Sequence, residues 1–251
     1  MIIDHFSESN GFGEHKKEAI NLLHTTIDIL EEFDINYFLI SGTLLGYVRH
    51  NDFIPWDDDI DLLVDESILD KFDEILKKYN NINLFFKNKY DSVKICFSDG
   101  KEIPENENVT QWKKGSIGGN KRYCWPFIDL FMYESGLGIH SCGDYEDFSI
   151  GERKESLLKP FKGHCNRCFR FIREDQIVFF HNDWKSNEFF PPQRVNFLGK
   201  EMNIPKNPQY FLNINYDGDY MTKIESTSRI HKIDTEVKDK IIMNYHGVKR
   251  G

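Results

Sequence analysis

Phe53-Ile54-Pro55-Trp56-Asp57-Asp58-Asp59-Ile60-Asp61-Leu62-Leu63-Val64 sets four carboxylates within five positions at the mouth of an apolar run. Like charges this crowded raise one another's pKa or demand a cation, and a divalent ion held by hard oxygens is the usual remedy. Asp59 to Val64 reads as a strand. Side chains alternate across a strand, so Asp59 and Asp61 point to one face while Ile60, Leu62 and Val64 enter the core from the other. Two residues along a strand span about 6.6 Å, so both carboxylates can reach a metal pair about 3.5–4 Å apart, the arrangement used for in-line displacement at phosphorus. A solvated acidic loop is the bland alternative, and the flanking Pro-Trp and apolar strand argue against it. A calcium loop would place Asp57, Asp59 and Asp61 at its first, third and fifth positions, but Leu62 stands where that loop needs Gly and Ile68 where it needs Glu.

A third ligand has to come from another strand. Phe127-Ile128-Asp129-Leu130-Phe131 carries one Asp in an otherwise apolar run, which a core strand tolerates only with a partner. Asp129 is expected to complete the site, as a bridging metal ligand or as the base that takes a proton from an acceptor hydroxyl; capping of a nearby turn is the structural alternative. Asn36 to Ile40 reads as a short buried strand, and Ser41-Gly42-Thr43 follows it before a helical stretch through Leu44, Leu45 and Val48. Backbone N–H groups at such a turn can hold a phosphate, or the turn is an ordinary helix start. Arg49 can pair with a phosphate or neutralise Asp57 or Asp58. Trp56 can stack on a base or a cationic group, or pack under the strand. Lys121 and Arg122 are further candidate phosphate contacts, or solvated surface.

The remaining pattern is mixed α/β. Apolar Ala19, Leu22, Leu23, Ile27, Leu30 and Phe33 recur at three- and four-residue steps, which predicts an amphipathic helix over Glu14 to Phe33. Ser67 with Asp70 predicts the N-cap of a helix running to Lys78. Strands are expected at Asn83 to Phe86, Ser92 to Phe97 and Phe127 to Tyr133, with a polar loop over Ser98 to Asn120. A charged helical piece near Glu152 to Lys159, alternating apolar character over Phe169 to Phe180 and a charged terminal helix over Ile224 to Tyr245 complete the reading.

With 39% apolar residues, 21 Phe, 11 Tyr and 4 Trp in 251 residues, the chain carries too much aromatic anchor to be disordered, and it reads as one domain over 1–251. A net charge of −9 leaves no general basic footprint for nucleic acid. Tyr37 to Ile40 and Ile60 to Val64 fall far short of a bilayer-spanning segment, and Met1 to Gly13 has no cationic start followed by an apolar run. A cytoplasmic protein without an integral membrane segment is the expectation. Five cysteines, an odd number in a chain of this length, argue against a secreted disulfide framework. His164-Cys165-Asn166-Arg167-Cys168 contains Cys-x-x-Cys, and with Cys142 upstream it can supply the four ligands of a structural zinc ion; free thiols are the other reading.

Taken together, Ser41-Gly42-Thr43-Leu44-Leu45-Gly46, Arg49-His50 and Phe53 through Asp61 closely resemble the signature of the LicD/fukutin family within the nucleotidyltransferase-fold superfamily. The resemblance continues at Pro126 through Phe131, Phe190-Pro191 through Gly199, Ile204-Pro205, and Tyr216 through Met221, covering roughly 35–224 and leaving 225–251 as a helical tail. It implies a short mixed sheet flanked by helices, with a C-terminal extension. It also implies that the turn at Gly42 holds phosphates and that Asp59, Asp61 and Asp129 hold magnesium, with manganese as an alternative. Relatives move phosphocholine or a polyol phosphate such as ribitol phosphate from a CDP-activated donor onto a glycan hydroxyl, releasing CMP. Some fukutin-related relatives carry a zinc-stabilised insertion near the cysteine cluster. Tyr216-Asp217-Gly218-Asp219 departs from the family's Tyr-Gly-Asp form, so Asp217 and Asp219 are left out of catalysis. The alternatives are a nucleotidyltransferase acting on a sugar phosphate, a glycosyltransferase with an Asp-x-Asp metal motif, and a glycan- or nucleotide-binding pseudoenzyme.

Overall fold

The computed structural model describes residues 11–87, 92–102, 109–113, 116–120, 124–135, 138–141, 169–172, 174–179, 182–216 and 220–221. The expected helical pieces at Glu152 to Lys159 and Ile224 to Tyr245 lie outside these residues, as do Lys121, Arg122, Asp217 and Asp219.

A mixed sheet forms the centre. Its main path runs β1 (Tyr37–Leu39), β2 (Ile60–Asp65), β7 (Cys124–Ser135), β4 (Ser92–Glu102), β3 (Ile82–Lys87), β5 (Val109–Lys113) and β6 (Ser116–Asn120). A hairpin of β10 (Gln176–Phe179) and β11 (Asn182–Lys185) extends the far end of β7. The β2–β7 pair is parallel, and the other pairs of this sheet are antiparallel. Two further two-stranded sheets pair β8 (Gly138–Ser141) with β9 (Phe169–Ile172) and β12 (Gln193–Phe197) with β13 (Lys200–Ile204).

The helix α1 (Lys16–Glu32) buries Ala19, Leu22, Leu23, Ile27 and Leu30, the residues its spacing selects, and lies against β7 and β4. Helix α2 (Ser41–His50) follows β1 directly and packs on β2. The strand β2 is buried on both faces, Leu63 as fully as Leu62, which corrects the expectation of a strand with one face presented. Helix α2 packs on β2, and a strand whose faces are covered by packed elements leaves little for water.

Two further expectations are corrected. Ser67 caps no α-helix: Asp65 accepts from the Ser67 N–H at 2.9 Å and starts a 3₁₀ turn over Glu66–Lys71, and α3 begins only at Phe72, running to Lys78. Much of the expected loop from Ser98 to Asn120 is strand, because β4 continues to Glu102 and β5 and β6 add to the sheet beyond β3. An aromatic cluster of Phe179, Trp184, Phe189 and Phe211 ties the β10–β11 hairpin to α4 (Ser186–Phe189) and α5 (Pro208–Asn215).

Candidate active site

Three neighbouring strands present one row of charge. The parallel ladder pairs Asp61 of β2 with Asp129 of β7, and the antiparallel ladder pairs Asp129 with Lys94 of β4. Paired residues share a face of the sheet, so the three side chains stand side by side. The rows on either side, Ile60 with Ile128 and Ile95, and Leu62 with Leu130 and Val93, are apolar and buried. Asp59, just before β2, turns its carboxylate to the same place, so that one oxygen each of Asp59, Asp61 and Asp129 lies within 4.8 Å of the others. The third acidic residue is thus brought to the first two by strand pairing, as the isolated Asp in an apolar run suggested.

Asp61 is 8% and Asp129 7% exposed. Buried carboxylates need partners. Lys94 meets that need for Asp129: its Nζ, on a residue 1% exposed, donates to Oδ1 and to Oδ2 at 2.8 Å each and lies 3.8 Å from the centroid of the Phe127 ring. Sequence reading passed over Lys94. The signal was there, since Ser92-Val93-Lys94-Ile95-Cys96-Phe97 holds one cation inside a buried strand, the mirror image of Asp129 in its own.

The start of α2 forms the other wall. Ser41 has φ +49°, an uncommon value for a residue other than Gly, and the turn it makes swings the chain from β1 into the helix beside Asp61. The Ile40 N–H donates to the Asp61 carbonyl, and the Asp61 N–H donates to the Thr43 hydroxyl at 2.8 Å. Thr43 is 2% exposed, so its side chain serves to fix Asp61. Gly42 is required for space: a Cβ there would stand 2.2 Å from Oδ2 of Asp57. Asp57 therefore leans its carboxylate on the first turn of α2, where an anion is favoured. Burial, then the charges of Asp59 and Asp61, push its pKa well above the usual carboxylate range. The loop carrying these residues is held from behind by Trp125, whose Nε1 donates to the Asp58 carbonyl at 3.0 Å.

Arg49, at the last turn of α2, donates from Nη1 to the Tyr220 carbonyl at 2.9 Å and from Nε to His50 Nε2 at 3.0 Å. Its guanidinium carbon lies 5.9 Å from the Trp56 ring centroid, with the His50 ring edge-on at 6.0 Å. Burial lowers the Arg49 pKa, and Tyr216 and Asp57 oppose that shift. Arg49 and Trp56 thus form one unit beside the acidic loop. Of the candidate zinc ligands, Cys142, His164, Cys165 and Cys168 lie outside the described residues; the described cysteines Cys96 and Cys124 are buried and not joined in a disulfide.

Residues 34–207 match the family model described as LicD/FKTN/FKRP, nucleotidyltransferase domain. The chain belongs to this family. Among its relatives is an uncharacterized protein of Rickettsia prowazekii, 33% identical over 190 residues, covering 66% of this chain and 69% of the relative. The lipopolysaccharide cholinephosphotransferase LicD of Haemophilus influenzae is 37% identical over 62 residues, 25% of this chain and 23% of the relative. The human ribitol 5-phosphate transferase FKRP is 50% identical over 36 residues, 14% of this chain and 7% of the relative. The match thus spans under a quarter of the choline-phosphate enzyme and a small part of the ribitol-phosphate enzyme. No helix among the described residues is long and apolar enough to cross a membrane.

In this LicD-family site the donor set suits a hard divalent cation. Its ligand atoms are all carboxylate oxygens, and they converge.

Proposed function

We propose that this LicD-family chain transfers a phosphorylated alcohol, such as phosphocholine or a polyol phosphate, from a CDP-activated donor to a glycan hydroxyl and releases CMP. The observation that carries this reading is the convergence of Asp59, Asp61 and Asp129 beside the first turn of α2, within a chain whose relatives include a choline-phosphate and a ribitol-phosphate transferase. Asp59, Asp61 and Asp129 would hold magnesium or manganese. Such an ion neutralises charge on the donor diphosphate and the departing CMP.

The chain's own groups supply the rest. The N–H groups of Ser41, Gly42 and Thr43 open α2 and bind a donor phosphate in competition with the Asp57 carboxylate that now leans there. Arg49 is the cation on the same side, and its contact with Trp56 favours recognition of an anion over a choline head on that face of the ring. Asp129 acts as ligand rather than base, because its two oxygens already accept from Lys94 and have less lone-pair capacity left for a substrate proton. Attack by the acceptor hydroxyl in line with the leaving CMP needs no covalent enzyme intermediate.

The test is incubation of the purified protein and magnesium with CDP-choline, CDP-ribitol, CDP-glycerol and CDP-ethanolamine, each with glycan acceptors, following CMP. Release of CMP that depends on both donor alcohol and acceptor, and that Asp61→Asn abolishes, is the expected result. Pyrophosphate release from a nucleoside triphosphate would point instead to nucleotidyl transfer. Undiminished turnover in Asp61→Asn would remove the carboxylate site from the reaction.

A further inference from the structure

Removing an ammonium from water is expensive, and the fold accepts that expense at Lys94 within reach of a carboxylate cluster that could be offset by ions alone. The geometry of the contact is specific. Two equal 2.8 Å contacts from one nitrogen to Oδ1 and Oδ2 put Nζ on the chelating side of Asp129, the side from which an ion would bind both oxygens or a pair of ions would be bridged. The ladders fix this arrangement. Lys94 flanks Asp129 from β4 and Asp61 flanks it from β2, so the ammonium and the remaining carboxylates lie to opposite sides of Asp129. Phe127, two residues before Asp129 on the same face of β7, lays its ring against Nζ and holds it there.

We infer that Lys94 is a positioning residue that acts as a built-in second cation: it takes the chelating side of Asp129, restricts that carboxylate to one-point ligation from the Asp61 side, and limits the cluster to a single divalent ion when no nucleotide is bound. This rests on the reading of Asp59, Asp61 and Asp129 as a metal site, and it replaces the metal pair suggested by the spacing along β2. The charge balance agrees, since three carboxylates are neutralised by one ammonium and one divalent ion.

The experiment is Mn²⁺ titration of the full chain without nucleotide, read by electron paramagnetic resonance for stoichiometry and for coupling between ions. One Mn²⁺ per chain with an uncoupled spectrum is expected for the wild type, and two coupled ions for Lys94→Met. Two coupled ions in the wild type would overturn the inference about Lys94 and leave the metal site standing. No bound Mn²⁺ in the wild type would overturn the metal site, and the inference with it. A folded Lys94→Met that still takes one ion with unchanged affinity would also overturn it. Circular dichroism checks the fold, and if Lys94→Met does not fold, Lys94→Gln is held to the same expectations. A purely structural Lys94 would leave ion count and coupling unmoved.

Discussion

Replacing Lys94 by Met keeps most of the buried stem and removes only the charge, so its effect on the metal-free protein measures what the ammonium does. At an effective dielectric constant of about 20, an ion pair about 3–4 Å apart is worth about 4–6 kcal/mol. The Lys94–Asp129 contacts of 2.8 Å fall in that class, and the pair is shielded from solvent, with side chains 1% and 10% exposed. Desolvation offsets part of the gain, and removing one partner of a buried pair is expected to destabilise by about 3–5 kcal/mol. For a domain of this size that lowers Tm by about 6–20 °C. Asp129→Asn is expected to be milder. It gives up the same attraction, but it also removes repulsion from Asp61, whose carboxylate lies within 4.8 Å and costs about 3 kcal/mol at the same dielectric constant. The net loss is about 1–3 kcal/mol. Lys94→Met combined with Asp129→Leu, which leaves neither charge buried, should recover most of the loss. Thermal melts in chelator at low salt test the order. Equal stability of Lys94→Met and wild type, or an Asp129→Asn protein less stable than Lys94→Met, would refute the reasoning.

The acidic loop gives a pH signature. Asp57 has a folded-state pKa raised above its ordinary value of 3.8, so the folded protein binds its proton more tightly than the unfolded chain does. The resulting stabilisation is full below the unfolded pKa and is lost as pH rises through the folded one. In metal-free protein, Asp57→Asn should therefore gain stability over wild type as pH rises above about 4, measured by denaturant midpoints across pH; a difference independent of pH would exclude the effect. Two glycines separate space for function from space for packing. Gly42→Ala presses on the far end of the Asp57 side chain and should impair CMP release with a small change in Tm. Gly46→Ala drives a Cβ to 2.6 Å from the Asp52 carbonyl, a backbone atom, and should cost about 1–3 kcal/mol in melts whatever its activity.

The elements legible in the sequence are those in which burial and alternation agree. Ile60 to Val64 of β2 and Phe127 to Phe131 of β7 are apolar runs each interrupted by a single acid, and that interruption identified Asp61 and Asp129 together. The helix α1 shows its buried face at every step. What stayed hidden was imposed by neighbours. Val109–Lys113 mixes polar residues with Val and Trp and Ser116–Asn120 carries two glycines, and they become strands because β3 offers an edge to β5, which offers one in turn to β6. Ser67 looked like a helix start because no local pattern reveals that Asp65 leaves β2 already placed to accept from the Ser67 N–H. Lys94 was overlooked because a lone lysine in a strand has many ordinary readings, and only the β4–β7 register distinguishes them.

That register also explains why the site and the core cannot be altered independently. Side chains alternate along each strand, so a one-residue slip between β2 and β7 would set Asp61 beside Ile128 or Leu130 and turn a carboxylate toward the apolar face. A slip between β4 and β7 would part Lys94 from Asp129 and bury both without their partner. The apolar rows, Ile60–Ile128–Ile95 and Leu62–Leu130–Val93, therefore do more than fill volume: they lock the only alignment in which the charged row is satisfied. The charged row in turn penalises every alignment in which those apolar residues could pack another way. Hydrophobic burial supplies most of the free energy and electrostatics most of the discrimination. The carboxylate cluster is thus built where two independent forces demand the same register.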